Sequence, residues 1–130
     1  MIGRWLSETC GLLNLGATTS MVAVCCLCGP AFAADMKCRF VTECVDDACT
    51  ETSYAFDVEM AEMAATITTP AETLSGRVGL TGGGAPFVVA VTDGAVHLLT
   101  MMDAAGTARY TVHLAGAGMA VTYLGRCESE

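Results

Sequence analysis

The sequence predicts an all-β fold: a small antiparallel β-barrel or sandwich with a C-terminal four-stranded meander, preceded by a helical signal segment. Three observations predict it. Short runs rich in Val, Leu, Thr and Tyr recur at regular spacing after residue 34, separated by glycine-bearing turn signals. Four cysteines fall in the same stretch, an even number that reads as a disulfide framework in an oxidising compartment. The stretch before it is apolar, uncharged and closed by small residues.

The leading segment has to be set aside before the fold is read. Gly11 to Ala34 carries no charged residue, Met21 to Cys28 is its apolar centre, and Gly29-Pro30 breaks the helix ahead of Ala31-Phe32-Ala33. A bacterial signal peptidase cuts after such a pattern, so 1–33 is expected to be a signal peptide and 34–130 a single secreted β domain. Positive charge before the apolar run is limited to Arg4 and the α-amino group, offset by Glu8. An uncleaved anchor is one rival, diluted by Asn14, Thr18, Thr19 and Ser20; a lipidated Cys25 is another, disfavoured by Val24 before it. Each reading exports the domain, so a periplasmic or secreted location is expected.

A domain of this size buries only roughly 60–65% of the surface its unfolded chain exposes, so covalent staples matter. The formal net charge is −8, and the basic residues Lys37, Arg39, Arg77, Arg109 and Arg126 are scattered along the chain. That balance argues against nucleic acid or an acidic membrane as partner once the signal is removed; acidity also keeps small secreted domains soluble.

In the N-terminal half, Cys38, Phe40, Thr42 and Cys44 alternate onto one side of a strand, and Tyr54, Phe56, Val58 and Met60 form a second alternating set. Glu59 to Ala65 is rich in helix formers, so one helical turn is expected there. Met63 to Thr69 and Leu74 to Leu80 read as strands broken at Pro70. Gly82-Gly83-Gly84 reads as a flexible joint, because the strand–loop–helix setting of a phosphate loop is missing.

The C-terminal half is more legible. Pro86 to Thr92, Ala95 to Met102, Ala108 to Leu114 and Met119 to Arg126 are strand-like, and each connector is a hairpin signal. Asp93-Gly94 suits a type I′ turn, Asp103 to Gly106 a type I turn with Gly106 left-handed, and Gly116-Ala117 a type II′ turn. These turns set a register. The first places Val91 opposite Val96 and Val89 opposite Leu98; the second, a three-residue loop, places Leu98 opposite Val112; the third places Val112 opposite Val121 and Tyr110 opposite Tyr123. Val89, Leu98, Val112 and Val121 are therefore expected to share the core face. The other face would carry Val88, Ala90, His97, Leu99, Met101, Arg109, Thr111, His113, Thr122 and Leu124, a mixed set that the N-terminal half or a partner could cover.

Four cysteines allow three connectivities. If Cys38 to Cys44 is one strand, its ends lie about 20 Å apart and cannot bridge, which leaves two. The preferred pairing is Cys44–Cys49, closing a tight turn over Val45-Asp46-Asp47-Ala48, with Cys38–Cys127, tying first strand to last. Against it, pairing Phe40 with Tyr54 in an unbroken ladder puts Thr50, not Cys49, opposite Cys44.

Chemistry-bearing residues are few. Ser53, Ser75 and Ser129 sit in no nucleophile setting, Asp46 and Asp47 are turn residues, and Glu59 and Glu62 belong to a solvated face. The register just described sets His97 directly opposite His113 on the outer face, with Met101 two alternations along from His97. Two imidazoles and a thioether suit copper, and imidazoles alone suit zinc, although the shell is incomplete. Exported, disulfide-stapled and antiparallel, the expected architecture is similar to that of the small periplasmic β-barrel lysozyme inhibitors; their inhibitory-loop motif aligns with no stretch of this chain, so the resemblance implies architecture alone. The leading expectation is an exported binding or interaction module without catalytic activity or cofactor, whose partner is an unknown protein or small ligand. Copper or zinc binding through His97, His113 and Met101 is the second reading, and an enzyme of unfamiliar type the third.

Overall fold

The computed structural model describes residues 33–130. They form eight antiparallel strands: β1 (Ala33–Val45), β2 (Ala48–Ala61), β3 (Ala64–Thr68), β4 (Thr73–Leu80), β5 (Pro86–Val91), β6 (Ala95–Met101), β7 (Thr107–Leu114) and β8 (Met119–Ser129). Each strand pairs with the next, and β8 returns to β1, so the sheet closes into an up-and-down barrel. Closure removes the long free edges that an open sheet would have to protect. The expected signal segment lies, except for Ala33, outside the described residues.

Alternation decides what fills the barrel. Phe40, Phe56, Val58, Ile67, Leu74, Val88, Leu99 and Tyr110 point inward, each no more than 3% exposed. Burial of side chains of this size contributes about 1.5–3 kcal/mol apiece relative to leaving them in water. The Tyr54, Phe56, Val58, Met60 set lines the lumen as its alternation implied. The helical turn expected over Glu59 to Ala65 is not formed. β2 continues to Ala61 and reverses through Glu62-Met63, with Glu62 at φ 57°. The buried alternation of Val58 and Met60 outweighs the weak helix preference of the residues around them.

β1 is irregular at Val41. The ladder to β2 runs Cys38↔Phe56 and Phe40↔Tyr54, then slips by one residue to Thr42↔Glu51 and Cys44↔Cys49. Two residues of β2, Thr52 and Ser53, thus face one of β1, which is a β-bulge. The ladder to β8 also slips there, from Phe40↔Gly125 to Thr42↔Leu124. This slip seats Cys49 opposite Cys44, and the Cys44–Cys49 bridge closes next to the Asp46-Asp47 turn. The second bridge, Cys38–Cys127, joins residues directly opposed on β1 and β8. Cys38, Phe40, Thr42 and Cys44 consequently do not share one side. Cys38 and Phe40 are lumenal, whereas Cys44 pairs with Thr122 on the outside. Gly125 makes the bulge possible: a Cβ there would overlap the Arg39 carbonyl oxygen.

The meander follows the expected strand order, with one correction to its register. β5 pairs with β6 through Val89↔Leu98, and β7 with β8 through Val112↔Val121 and Tyr110↔Tyr123. Between them β6 and β7 are shifted by one: His97, not Leu98, is opposite Val112. The loop holds four residues rather than three. Met102 N–H donates to the Thr107 carbonyl (2.8 Å), the Asp103 carboxylate accepts the Thr107 N–H (3.0 Å), and Gly106 is left-handed at φ +85°. Asp103 therefore acts as a cap inside the loop and is not a strand residue opposite Thr107.

A one-residue slip exchanges the two faces of a strand. Val112, Val121, Tyr110 and Tyr123 stay on the lumenal side as expected. Val89 and Leu98 face outward, and Val88, Ala90, His97, Leu99 and Met101 fill the lumen instead. The expectation that Val89, Leu98, Val112 and Val121 share a face is overturned. The outer two turns keep their pairings but not their conformations: neither Asp93 nor Gly94 has a positive φ, and the left-handed glycine of the last turn is Gly118 (φ 58°), not Gly116.

Candidate functional site

Among the described residues, the most deeply buried polar pair lies in the lumen. His97 enters from β6 and Tyr110 from β7, with Nδ1 and the phenol oxygen 2.7 Å apart and the rings stacked at 6.0 Å. They are 5% and 2% exposed. Burial is the main cause of the lowered pKa of His97, against the opposing influence of the Glu72 carboxylate. Burial likewise raises Tyr110 well above the ordinary phenol range, reinforced by Tyr54, Glu72 and Tyr123. Both groups are therefore neutral near pH 7, and they share a single hydrogen bond. Nε2 of His97 is buried with no hydrogen-bond partner among the described residues. Such an orphaned group costs about 1–3 kcal/mol.

Aromatic rings fill the space around this pair. Tyr54 stacks on Tyr123 at 4.6 Å, Phe56 meets Tyr110 edge-on at 4.9 Å, and Phe40 lies 5.2 Å from Phe56. The bulge brings Glu43 opposite Tyr123, and burial together with this carboxylate pushes the Tyr123 phenol up to about 12. Tyr54 is raised as well, chiefly by burial.

The residues expected as metal ligands do not converge. His97 and Met101 point into the lumen, while His113 is exposed on the outside, opposite Val96. The slip in the β6–β7 loop separates them, since the expected opposition required the shorter loop. Among the described residues, no group of three or more His, Cys, Asp or Glu is arranged to hold a metal ion. All four cysteines expected to pair lie in the two bridges already described.

Part of the barrel's outside is free of carboxylates. Two cross-strand rows run over β4 to β8, Gly79–Phe87–Thr100–Arg109–Leu124 and Arg77–Val89–Leu98–Thr111–Thr122, and a third over β5 to β8, Val91–Val96–His113–Ala120. A fourth, Thr107–Arg126–Arg39, crosses onto β1. None of these residues is acidic, in a chain with 14 Asp and Glu against 6 Lys and Arg. Val91 is 69% and Val96 41% exposed. Asp35, Asp57 and Glu59, by contrast, sit across β1 and β2 around Lys37, which pairs with Asp57 and Glu130, and Glu128 lines a cleft with Arg39 and Arg126. The arginines that are scattered in sequence thus gather on one face. Sequence alternation could mark Arg109 as outward, but only the β1–β8 pairing brings Arg39 to Arg126.

Comparison with protein-family models, with curated proteins and with solved structures finds no match to this chain.

Proposed function

We propose that this chain is an exported, disulfide-stabilised binding module that meets its partner on the outside of the barrel and acts by contact, not by chemistry. The observation that carries this reading is the packed lumen. Eight strands enclose a space that side chains can fill or that one small ligand can occupy. Here stacked Tyr54, Tyr123, Phe56, Tyr110 and Phe40 take it up. The groups best suited to proton transfer, His97 and Tyr110, are sealed within that packing and hydrogen-bonded to each other. Two disulfides are compatible with an oxidising, exported environment. The partner-facing features that remain are on the surface, where the outward rows of β5 to β8 carry apolar residues and arginines.

The reading is tested in two steps. Alkaline phosphatase fused after residue 130 becomes active only if the chain is exported; an inactive fusion counts against it. A photo-cross-linking residue is then placed in the full chain at outward Thr111, at outward Thr66 and at lumenal Leu99. Specific adducts from outward positions, with turnover undetectable on panels of ester, peptide, glycoside and phosphate substrates, support the module. Measured turnover that is lost in the His97→Gln variant overturns it in favour of an enzyme.

A further inference from the structure

We infer that the outer face of β5 to β8, with its arginine row, docks an acidic polypeptide segment that also carries apolar side chains. The inference rests on the module reading above and names the partner's chemistry. Arg39 and Arg126 stand directly opposite one another on neighbouring strands, and Arg109 lies diagonally from Arg126. Like charges in that relation destabilise a sheet, and the Ala105 carbonyl that accepts from the Arg126 guanidinium, with Asp103 and Glu128 nearby, offsets the repulsion only in part. Among the described residues none of the three takes part in an ion pair, although the chain carries a net charge of −8. A shallow cleft of about 170 Å³ is lined by Lys37, Arg39, Val41, Gly125, Arg126 and Glu128, three cationic side chains against one carboxylate. It has room for a carboxylate, which a guanidinium holds through two parallel hydrogen bonds.

The outward row next to Arg109 carries half-buried Leu98, and the row beyond it exposed Val96 and Val91. An anion with no apolar part would leave them uncovered. The face is about 20 Å wide across β4 to β8, at about 4.8 Å per strand, which matches roughly six residues of extended chain. It is also bounded. Asp93 sits in the β5–β6 turn at one end and Asp103 in the β6–β7 loop at the other, both exposed. An anionic membrane broad enough to cover the face would meet both carboxylates and be repelled, whereas a narrow segment lying across the strands passes between them. Charge complementarity therefore favours a polypeptide over a lipid surface, and sets a salt-dependent affinity.

The experiment is an NMR titration of the ¹⁵N-labelled mature domain in its oxidised form. The probes are a synthetic twelve-residue peptide of alternating Glu and Leu, the matching Lys and Leu peptide, inorganic phosphate, and vesicles of phosphatidylglycerol. The expected result is a set of amide shifts confined to the outer rows of β5 to β8 and to Arg39, produced by the acidic peptide alone. The Arg39→Gln/Arg109→Gln variant, whose exposed side chains make no hydrogen bond to another described residue, is expected to bind it at least tenfold more weakly. Raising the salt from 0.05 M to 0.5 M is expected to abolish most of that difference. Absence of shifts, shifts unchanged in the variant, or equal shifts with the basic peptide would overturn the proposal. Shifts from vesicles or phosphate without the peptide reassign the arginines to lipid or to a free anion and also overturn it. So does a dimer in sedimentation that buries this same face. If the titration fails while the exported chain cross-links through Thr66, the arginine face is lost and the module reading stands.

Discussion

Replacing Cys38 and Cys127 together by alanine opens the bridge between the first strand and the last. The two disulfides of this barrel differ mainly in the length of chain they close, 89 residues apart for Cys38–Cys127 and 5 for Cys44–Cys49. On the chain-entropy model those loops correspond to about 4.6 and about 2.2 kcal/mol of restriction on the unfolded state at 25 °C. Burial widens the gap. Cys38 is fully buried and Cys127 6% exposed, so each sulfur removed from the lumen costs a further amount close to that of a buried methylene, about 0.8 kcal/mol. Cys44 and Cys49 are on the outside and carry little of this second cost. The expected losses are about 6 kcal/mol for the long bridge and about 2 kcal/mol for the short one. A small domain has about 5–15 kcal/mol in total, so the first variant is expected to be unfolded or nearly so in buffer, and the second folded with a lower urea midpoint. Urea titrations followed by tyrosine fluorescence and near-ultraviolet circular dichroism measure this well. All three tyrosines lie in the lumen, and the one tryptophan, Trp5, precedes the described residues. A Cys44→Ala/Cys49→Ala chain destabilised as much as the Cys38→Ala/Cys127→Ala chain would refute the reasoning.

Three further outcomes follow from the lumen and the bulge. The pKa of His97 is lowered in the fold, so the unfolded chain takes up the proton first; stability is fully present above about pH 6.5 and falls as pH drops below it, and the Tm of the native chain should decline between pH 7 and 5 more steeply than that of His97→Gln. Tyr123 is raised to about 12 and Tyr110 further, so their neutral forms favour the fold up to about pH 10 and this contribution is lost above it; absorbance at 295 nm should show phenolate appearing together with unfolding instead of ahead of it. Gly125→Ala drives a methyl group into the Arg39 carbonyl and should cost about 1–3 kcal/mol or more by urea titration, whereas Gly116→Ala, at an open turn position, should change the midpoint little.

Much of this barrel was legible before any coordinates. Alternation and turn residues sufficed for an all-β chain, the strand order of the meander, the lumenal set on β2 and the β5–β6 and β7–β8 registers, because each depends on residues close in sequence or on side-chain period alone; the disulfides were narrowed to two connectivities, of which the preferred one is formed. Three things depended on the folded whole. The β6–β7 register turned on whether Asp103 ends a strand or caps a loop, and one residue there exchanges His97 for Leu98 in the lumen. The bulge at Val41, which seats Cys49 opposite Cys44, is tied to the close approach of β1 to Gly125 on the last strand. The arginine face exists only because closure lays β8 against β1, setting Arg126 opposite Arg39. Local period and turn chemistry act between near neighbours, whereas register across a closed barrel is decided jointly by every strand that must fit around the same filled lumen.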